Sequence, residues 1–382
     1  MLRTGRCDRP LWRYLPNPPP WGFARTPRRR DWMCHMSALP KFDAPPLLAY
    51  EPRSAGPISP TLVGIAKLAA EGESIRLGHE VEYLTLPARS LLNRCSTPRM
   101  PFTWTINPYR GCEFACKYCY ARYTHEFMEL RDNTEFERKI FVKQQASNLL
   151  RRDLRKVKPG EEIAIGTATD PYQPAERRYE VTRGILEEFA LHRGFHIGVI
   201  TKSQLILRDL ELLRRVAENN HVSVNLTITT LDAKLARILE PRAPRPDLRL
   251  NAIKLLNEAG IPCGVSCAPV LPGITDSAKD LDALVAAAHA HGARSIFANP
   301  LFLKPCSASV FMPFLEKEFP HLAENYRKRY GKNAFVPDAY RKRIQQLMSS
   351  LKRKHGFAAH RVQFEDRRPI VADEPAQMGL FG

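Results

Sequence analysis

No uninterrupted apolar run in this chain of 382 residues approaches eighteen, and Arg and Pro break the N-terminus before a signal-peptide stretch can form. That excludes a membrane span and leads one to expect a soluble protein. Cysteine is sparse, with nine in the chain, and three of them fall between positions 112 and 119. A disulfide framework belongs to short secreted chains, so a reducing cytoplasm fits better. Acidic residues are the third shortage. Asp and Glu number 40 against 58 Lys and Arg, a net charge of +18, which favours a polyanionic partner such as nucleic acid over a neutral metabolite.

The positive excess is uneven. Residues 1–35 hold eight Arg against two Asp, and three of the four Trp, without a globular pattern. They read as a misassigned start ahead of Met36 or as a basic, Pro-rich disordered arm, and stand outside the fold. Residues 36–100 read as a loop-rich lead-in, with Pro at 40, 45, 46, 52, 57 and 60 and short apolar patches at 62–70 and 81–92.

From there on, short β-branched runs alternate with amphipathic helices, the pattern of a parallel sheet with helical crossovers. Strands are predicted over 103–106, 162–168, 196–201, 222–229, 262–268 and 294–299. The clearest helices are predicted over 136–156, 181–191, 208–218, 248–258 and 277–289, the last capped by Asp276. Gly260 sits where a helix must end. Six such units make either an open doubly wound sheet or a barrel-like curl, and both gather chemistry at the carboxyl ends of the strands. The α/β core spans 101–306, residues 307–365 read as a basic helical extension, and 366–382 as a disordered tail.

After the first strand comes Asn107-Pro-Tyr-Arg-Gly-Cys112-Glu-Phe-Ala-Cys116-Lys-Tyr-Cys119-Tyr. Zinc is one reading, but a structural zinc site closes with four ligands and no second pair of that spacing follows. Thiolates are the usual ligands of iron–sulfur clusters, and four irons held by only three Cys leave one iron open. An open iron can take the amine and carboxylate of S-adenosylmethionine, so that an electron from the cluster cleaves the sulfonium to a 5′-deoxyadenosyl radical.

At these residues the sequence resembles the radical S-adenosylmethionine superfamily, whose Cys-x3-Cys-x2-Cys motif carries an aromatic before the third Cys, here Tyr118. The resemblance implies a partial (β/α)6 barrel, a [4Fe-4S] cluster on Cys112, Cys116 and Cys119, bound S-adenosylmethionine and an external electron donor of flavodoxin or ferredoxin type. Thr169-Asp-Pro-Tyr-Gln-Pro174, Ile200-Thr-Lys-Ser203, Thr227-Ile-Thr-Thr-Leu-Asp232, Glu240-Pro-Arg-Ala-Pro244 and Gly264-Val-Ser-Cys-Ala-Pro269 narrow it. Together they resemble the branch of spore photoproduct lyase, described as DNA repair photolyase-like.

That likeness implies that Lys202 contacts the cofactor's methionine carboxylate, that the hydroxyls of Thr169 and Thr227 touch the cofactor, and that Tyr118 lies beside the adenine. Plain strand filling is the other reading of the two Thr. Asp170, Glu240 and Arg242 serve the site or fix loops as ion pairs, and Arg122 and His125 steer substrate or cofactor or sit on the surface. One departure matters. The branch returns hydrogen to the product radical from a Cys at the end of the second strand, where this chain has Thr167, whose O–H bond is too strong for that task. Cys267 and Cys306, near the same end of the barrel, are the substitute hydrogen donors, or simply buried small hydrophobes.

Between 327 and 360, runs of Lys and Arg interleave with aromatics, a surface that neutralises phosphates and stacks on bases, or a solvated helix face. The terminal Gln377-Met-Gly-Leu-Phe381 resembles the peptide that binds the bacterial β sliding clamp, with Leu380 and Phe381 as apolar anchors and Gln377 hydrogen bonding beside them. The leading expectation is a lyase-like radical enzyme acting on DNA or another nucleic acid. The alternatives are modification of a protein or small molecule, and a non-catalytic iron–sulfur DNA-binding protein.

Overall fold

The computed structural model describes residues 62–357, apart from His79, Ser96, Pro98, Arg99 and Lys332. The basic arm, most of the lead-in and the tail with Gln377, Leu380 and Phe381 lie outside the described residues. Eleven strands are described: β1 Ser74–Gly78, β2 Val81–Leu86, β3 Leu92–Arg94, β4 Trp104–Ile106, β5 Tyr109–Arg110, β6 Lys139–Lys143, β7 Glu162–Ile165, β8 His196–Thr201, β9 His221–Thr227, β10 Cys263–Val270 and β11 Ile296–Pro300.

The larger sheet runs β11-β10-β9-β8-β7-β4-β3. Strands β4 and β7 to β11 are parallel, and β3 closes one edge antiparallel to β4. Each parallel strand lies beside the one before it, so the winding never reverses. A doubly wound sheet reverses at a switch point, and its absence decides for the barrel-like curl: this is the α/β fold of a partial barrel.

Alternation along the strands separates two faces. Ile163, Ile165, Ile197, Val199, Val222, Val224, Leu226 and Val265 join one buried core with Ile185, Leu186, Phe189, Leu212, Leu213, Ile253, Leu256 and Leu284 of the crossover helices. Each such side chain contributes about 1.5–3 kcal/mol by leaving water. The intervening positions, Ala164, Gly198, Ser223, Asn225, Gly264 and Ser266, are small or polar. At Gly264 a Cβ would stand 2.4 Å from the Ser295 Oγ and 2.8 Å from its carbonyl oxygen, so only glycine fits.

The helix that opens at Ala278 is capped by Ser277, whose Oγ accepts from Asp280 N at 3.0 Å, and not by Asp276. Asp276 instead accepts from Gly273 N, Tyr340 and Arg343 and ties the last helix down. Gly260, at φ +83°, ends its helix as expected.

The expected helix over 136–156 is split. Its first half is strand β6, and the helix is only Ala146–Asp153. The reason is Ile140-Phe-Val142, a β-branched and aromatic run that finds partners in β2, parallel, and β5, antiparallel. A second sheet of order β1-β2-β6-β5 results.

Helices Pro305–Glu318, Ala323–Tyr330 and Asp338–Lys354 follow the barrel. The last packs Ile344, Met348 and Leu351 into the barrel core. No helix among the described residues is long and apolar enough to cross a membrane.

Candidate cofactor and active site

The three cysteines sit in a loop that leaves the small sheet at Gly111. There φ is +84°, and a Cβ would meet Lys139 O at 2.5 Å and Phe136 O at 2.9 Å, so the turn requires glycine. Ala115, also left-handed at φ +56°, is tolerated at a cost of about 1–2 kcal/mol. The loop is pinned throughout. Cys112 N donates to Phe136 O at 2.9 Å and Lys117 N to Leu239 O at 2.9 Å, while Ser307 Oγ donates to Cys119 O at 2.9 Å. Arg122, fully buried, donates to Cys116 O at 3.1 Å and pairs with Glu137 at 2.5 Å. It is a positioning residue rather than one that meets substrate. His125 is buried too, against Lys139 O, and burial lowers its pKa to about 4.

Cys112, Cys116 and Cys119 are free thiols, and Cys112 and Cys116 are packed among Phe114, Tyr118, Phe136 and Leu239. Burial pushes all three upward in pKa, Cys116 to about 12 with Lys202 as its largest opposing influence. A coordinating metal supplies the positive charge that such thiols need to ionise. Three free thiols on one pinned loop, Cys112 and Cys116 buried and Cys119 half-buried, fit a cluster.

The strand ends bring further groups to this loop. Asp170, after β7, accepts from Thr201 Oγ1 at 2.6 Å, Lys202 N at 2.7 Å and Tyr172 N at 3.0 Å, so it fixes the end of β8. Lys202 places its ammonium 5.8 Å from the Tyr118 ring centre. Burial pulls its pKa down, but Cys116, Glu240 and Asp170 outweigh burial and hold it above the usual range. The Tyr118 hydroxyl donates to Glu240, which also accepts from Thr229 at 3.1 Å and pairs with Arg249 at 2.5 Å. Burial raises the Glu240 carboxyl, yet Arg249 and Lys202 win and it stays below its ordinary range. Arg249 also reaches Thr227 O at 2.9 Å and Pro244 O at 2.8 Å. Thr169 donates to Gly111 O at 2.6 Å, which spends its hydroxyl proton on the cluster loop. Arg242 is exposed.

Sequence reasoning missed Arg249 and Gln173. Gln173 bonds Gly111 O, Thr169 and Glu113 N, and its place in the quoted Thr169–Pro174 segment was the available signal. Arg249 carried none, since an Arg in an amphipathic helix reads as solvated.

Thr167, partly exposed, bonds Asn107, and its carbonyl accepts from Tyr120. Cys267 shares its strand face with Cys263 and Val265 in the helix-facing core, away from the small and polar positions. Cys306 is buried beside Ser307, the residue that bonds the cluster loop. In the basic extension the aromatics turn inward. Tyr326 is buried, and Tyr340, half-buried, lies between Arg329 and Arg343 at 4.7 and 4.9 Å. Beside the cluster loop, Tyr120 lies 6.4 Å from Phe302, which stacks on Phe335 at 4.5 Å.

Comparison with known proteins agrees with this geometry. The model of the Radical SAM superfamily matches residues 106–285. An uncharacterized protein of Mycobacterium tuberculosis is 35% identical over 300 residues, 77% of this chain and 86% of its own. An uncharacterized protein of Methanocaldococcus jannaschii is 26% identical over 281 residues, 73% of this chain and 96% of its own. Among solved structures, a spore photoproduct lyase variant with bound AdoMet and dinucleoside spore photoproduct has a TM-score of 0.56 at 15% identity, covering 78% of this chain and 84% of that one. At that identity it speaks for the fold. With the cysteine motif, the winding and the matched span in agreement, the chain belongs to the radical S-adenosylmethionine superfamily.

Proposed function

We propose that this radical S-adenosylmethionine enzyme holds a [4Fe-4S] cluster on Cys112, Cys116 and Cys119, binds S-adenosylmethionine beside Tyr118, Thr169, Lys202 and Thr227, and acts on a nucleic acid. When bound, the two cofactors supply a reducing electron and a 5′-deoxyadenosyl radical. The chain's residues do the rest. Asp170 fixes the backbone at Lys202, Asp170 and Glu240 favour its charged form for a carboxylate, Tyr118 is locked by its hydroxyl, and the loop carbonyls are tied down so the thiols cannot drift. The observation that carries the reading is Lys202 at the end of β8, its backbone N–H held by Asp170 and its ammonium 5.8 Å from the ring of Tyr118 in the cysteine motif.

The nucleic-acid half rests on the net charge of +18 and on the aromatic rings beside the cluster loop, a stacking surface for bases. Spore photoproduct lyase supplies an analogy of fold only, and Thr167 speaks against the same thiol-mediated repair. Cys306, close to the loop, is the better placed of the two donor candidates. The clamp-type peptide Gln377, Leu380 and Phe381 would recruit the enzyme to DNA. The test is 5′-deoxyadenosine formation by anaerobically reconstituted, reduced protein, with and without damaged oligonucleotides, protein extract or small metabolites. Stimulation by oligonucleotides alone is expected, and stimulation only by another class would overturn the nucleic-acid reading. Clamp recruitment is checked by calorimetry, where Leu380→Ala with Phe381→Ala should abolish binding and leave iron content unchanged.

A further inference from the structure

Strands β5 and β6 set two cations on one face of the small sheet. Arg110 stands opposite Phe141 in the antiparallel register, so its side chain leaves on the side shared by Phe141 and, two residues on, Lys143. Lys143 is 5% exposed, and the Nε of Arg110 is buried without an acceptor. Arg110 is half-buried, whereas the two fully buried Arg side chains among the described residues have carboxylates, Arg122 with Glu137 and Arg249 with Glu240. Arg110 and Lys143 have neither an ion pair nor a side-chain hydrogen bond among the described residues. The nearby Asp153 makes no ion pair with either of them; it accepts from Ser90, Leu91 N, Leu92 N and Lys156.

Two neighbouring cations, Lys143 buried and Arg110 half-buried, repel each other, and without an ion pair of their own they cost the fold free energy. Such a local violation is tolerated where a ligand completes it. A guanidinium fork beside an ammonium is a phosphate-recognition pair. From Arg110 the surface continues past the neighbouring Tyr123 to Lys304, whose ammonium is 3.8 Å from the Tyr123 ring and 5.9 Å from Phe302. Phe302 in turn faces Tyr120, the residue after Cys119. Cations alternate with rings from the small sheet to the cluster loop, the arrangement that tracks a single strand.

We infer that Arg110 and Lys143 form a phosphate site that grips the backbone of a single-stranded nucleic acid whose bases lie on Phe302 and Tyr120. The inference deepens the nucleic-acid reading and rests on it only for the source of the phosphate. The test uses the full chain with its cluster reconstituted, a fluorescent thymidine dodecamer titrated at several salt concentrations, and inorganic phosphate followed by calorimetry. Arg110→Gln and Lys143→Met should each weaken the oligonucleotide at least tenfold and flatten the log–log salt dependence by about 0.7, and Lys143→Arg should restore both. Loss of phosphate binding with oligonucleotide binding unaffected would keep the site and sink its nucleic-acid source. Unchanged binding of both ligands would overturn the site while leaving oligonucleotide binding elsewhere intact. Weakened binding accompanied by a lower melting temperature, with no rescue by Arg, would mean a structural role and would also overturn it.

Discussion

The two sheets bury charge on opposite terms. In the larger one, Glu240 and Arg249 meet at 2.5 Å and each oxygen or nitrogen that matters finds a second partner in Tyr118, Thr229, Pro244 O or Thr227 O. In the smaller one, half-buried Arg110 and buried Lys143 stand side by side, and neither makes an ion pair among the described residues. A closed network holds strand ends in place and asks for no ligand, whereas an open one is a defect until something binds. The three thiols of the cluster loop are the same contrast in another chemistry. Their backbone is fully bonded, but burial leaves the sulfurs with pKa values too high for thiolates unless a metal supplies the charge.

The largest effect expected from breaking this contrast is at the thiols. Replacing any one of Cys112, Cys116 or Cys119 by Ala should reduce iron content sharply and bring 5′-deoxyadenosine formation to background, measured by iron assay and chromatography after anaerobic reconstitution. Because the loop is pinned by backbone bonds and not by sulfur, the apo form of each variant should melt within a few degrees of the apo parent. A variant that unfolds outright would mean that the thiols are structural.

Next comes the closed network. Arg249→Met leaves Glu240 buried with an uncompensated charge and should cost about 3–5 kcal/mol in chemical denaturation. Glu240→Gln should cost less, since it keeps a hydrogen-bond partner for Tyr118. The double replacement of both residues by apolar side chains of similar size should recover most of the loss. If Arg249→Met were neutral, the network would not be the fastening that its geometry indicates.

Much of this was legible in the sequence, and the reasons are local. The parallel strands announced themselves because β-branched runs alternate with helical periods, and the motif from Asn107 to Cys119 needs no tertiary information. Lys202 and Thr169 were named on the family resemblance, and both stand at strand ends, where every barrel of this kind concentrates chemistry. Residues 136–156 failed because a short apolar run does not distinguish a buried strand from a helix until its partners are known; of those partners, β2 lies in the stretch read as a lead-in and β5 is two residues within the cysteine motif. The same sheet hid Arg110 and Lys143. A cation in a sequence reads as solvated, and only register and burial reveal one that is not.

Lys202 offers a smaller effect that separates cofactor from cluster. Lys202→Ala removes a charge aimed at the site but no iron ligand, so the affinity for S-adenosylmethionine should fall about tenfold, roughly 1.4 kcal/mol, with iron content unchanged. Lys202→Arg should retain part of the affinity. Equilibrium dialysis against the reconstituted protein measures it, and equal affinity in all three proteins would remove Lys202 from the site.

The smallest expected effect has the most unusual sign. Burial first and the Arg110 guanidinium second lower Lys143 to a pKa of about 7, against the opposing pull of Asp153. An unfolded lysine titrates near 10.4, so between about pH 7 and 10.4 the unfolded chain binds more protons than the native one, and stability attributable to this residue rises with pH. It is fully present above the unfolded value, declines as the pH falls, and is lost below about 7. Lys143→Met removes the whole term. The variant should therefore be more stable than the parent at pH 7, by roughly 1–3 kcal/mol, with the gain shrinking toward zero near pH 10. Urea denaturation of the ligand-free protein at pH 6, 7, 8.5 and 10 checks it. A pH-independent difference would point to packing alone, and a loss of stability at every pH would show that the ammonium has a partner after all and that the small sheet is as closed as the large one.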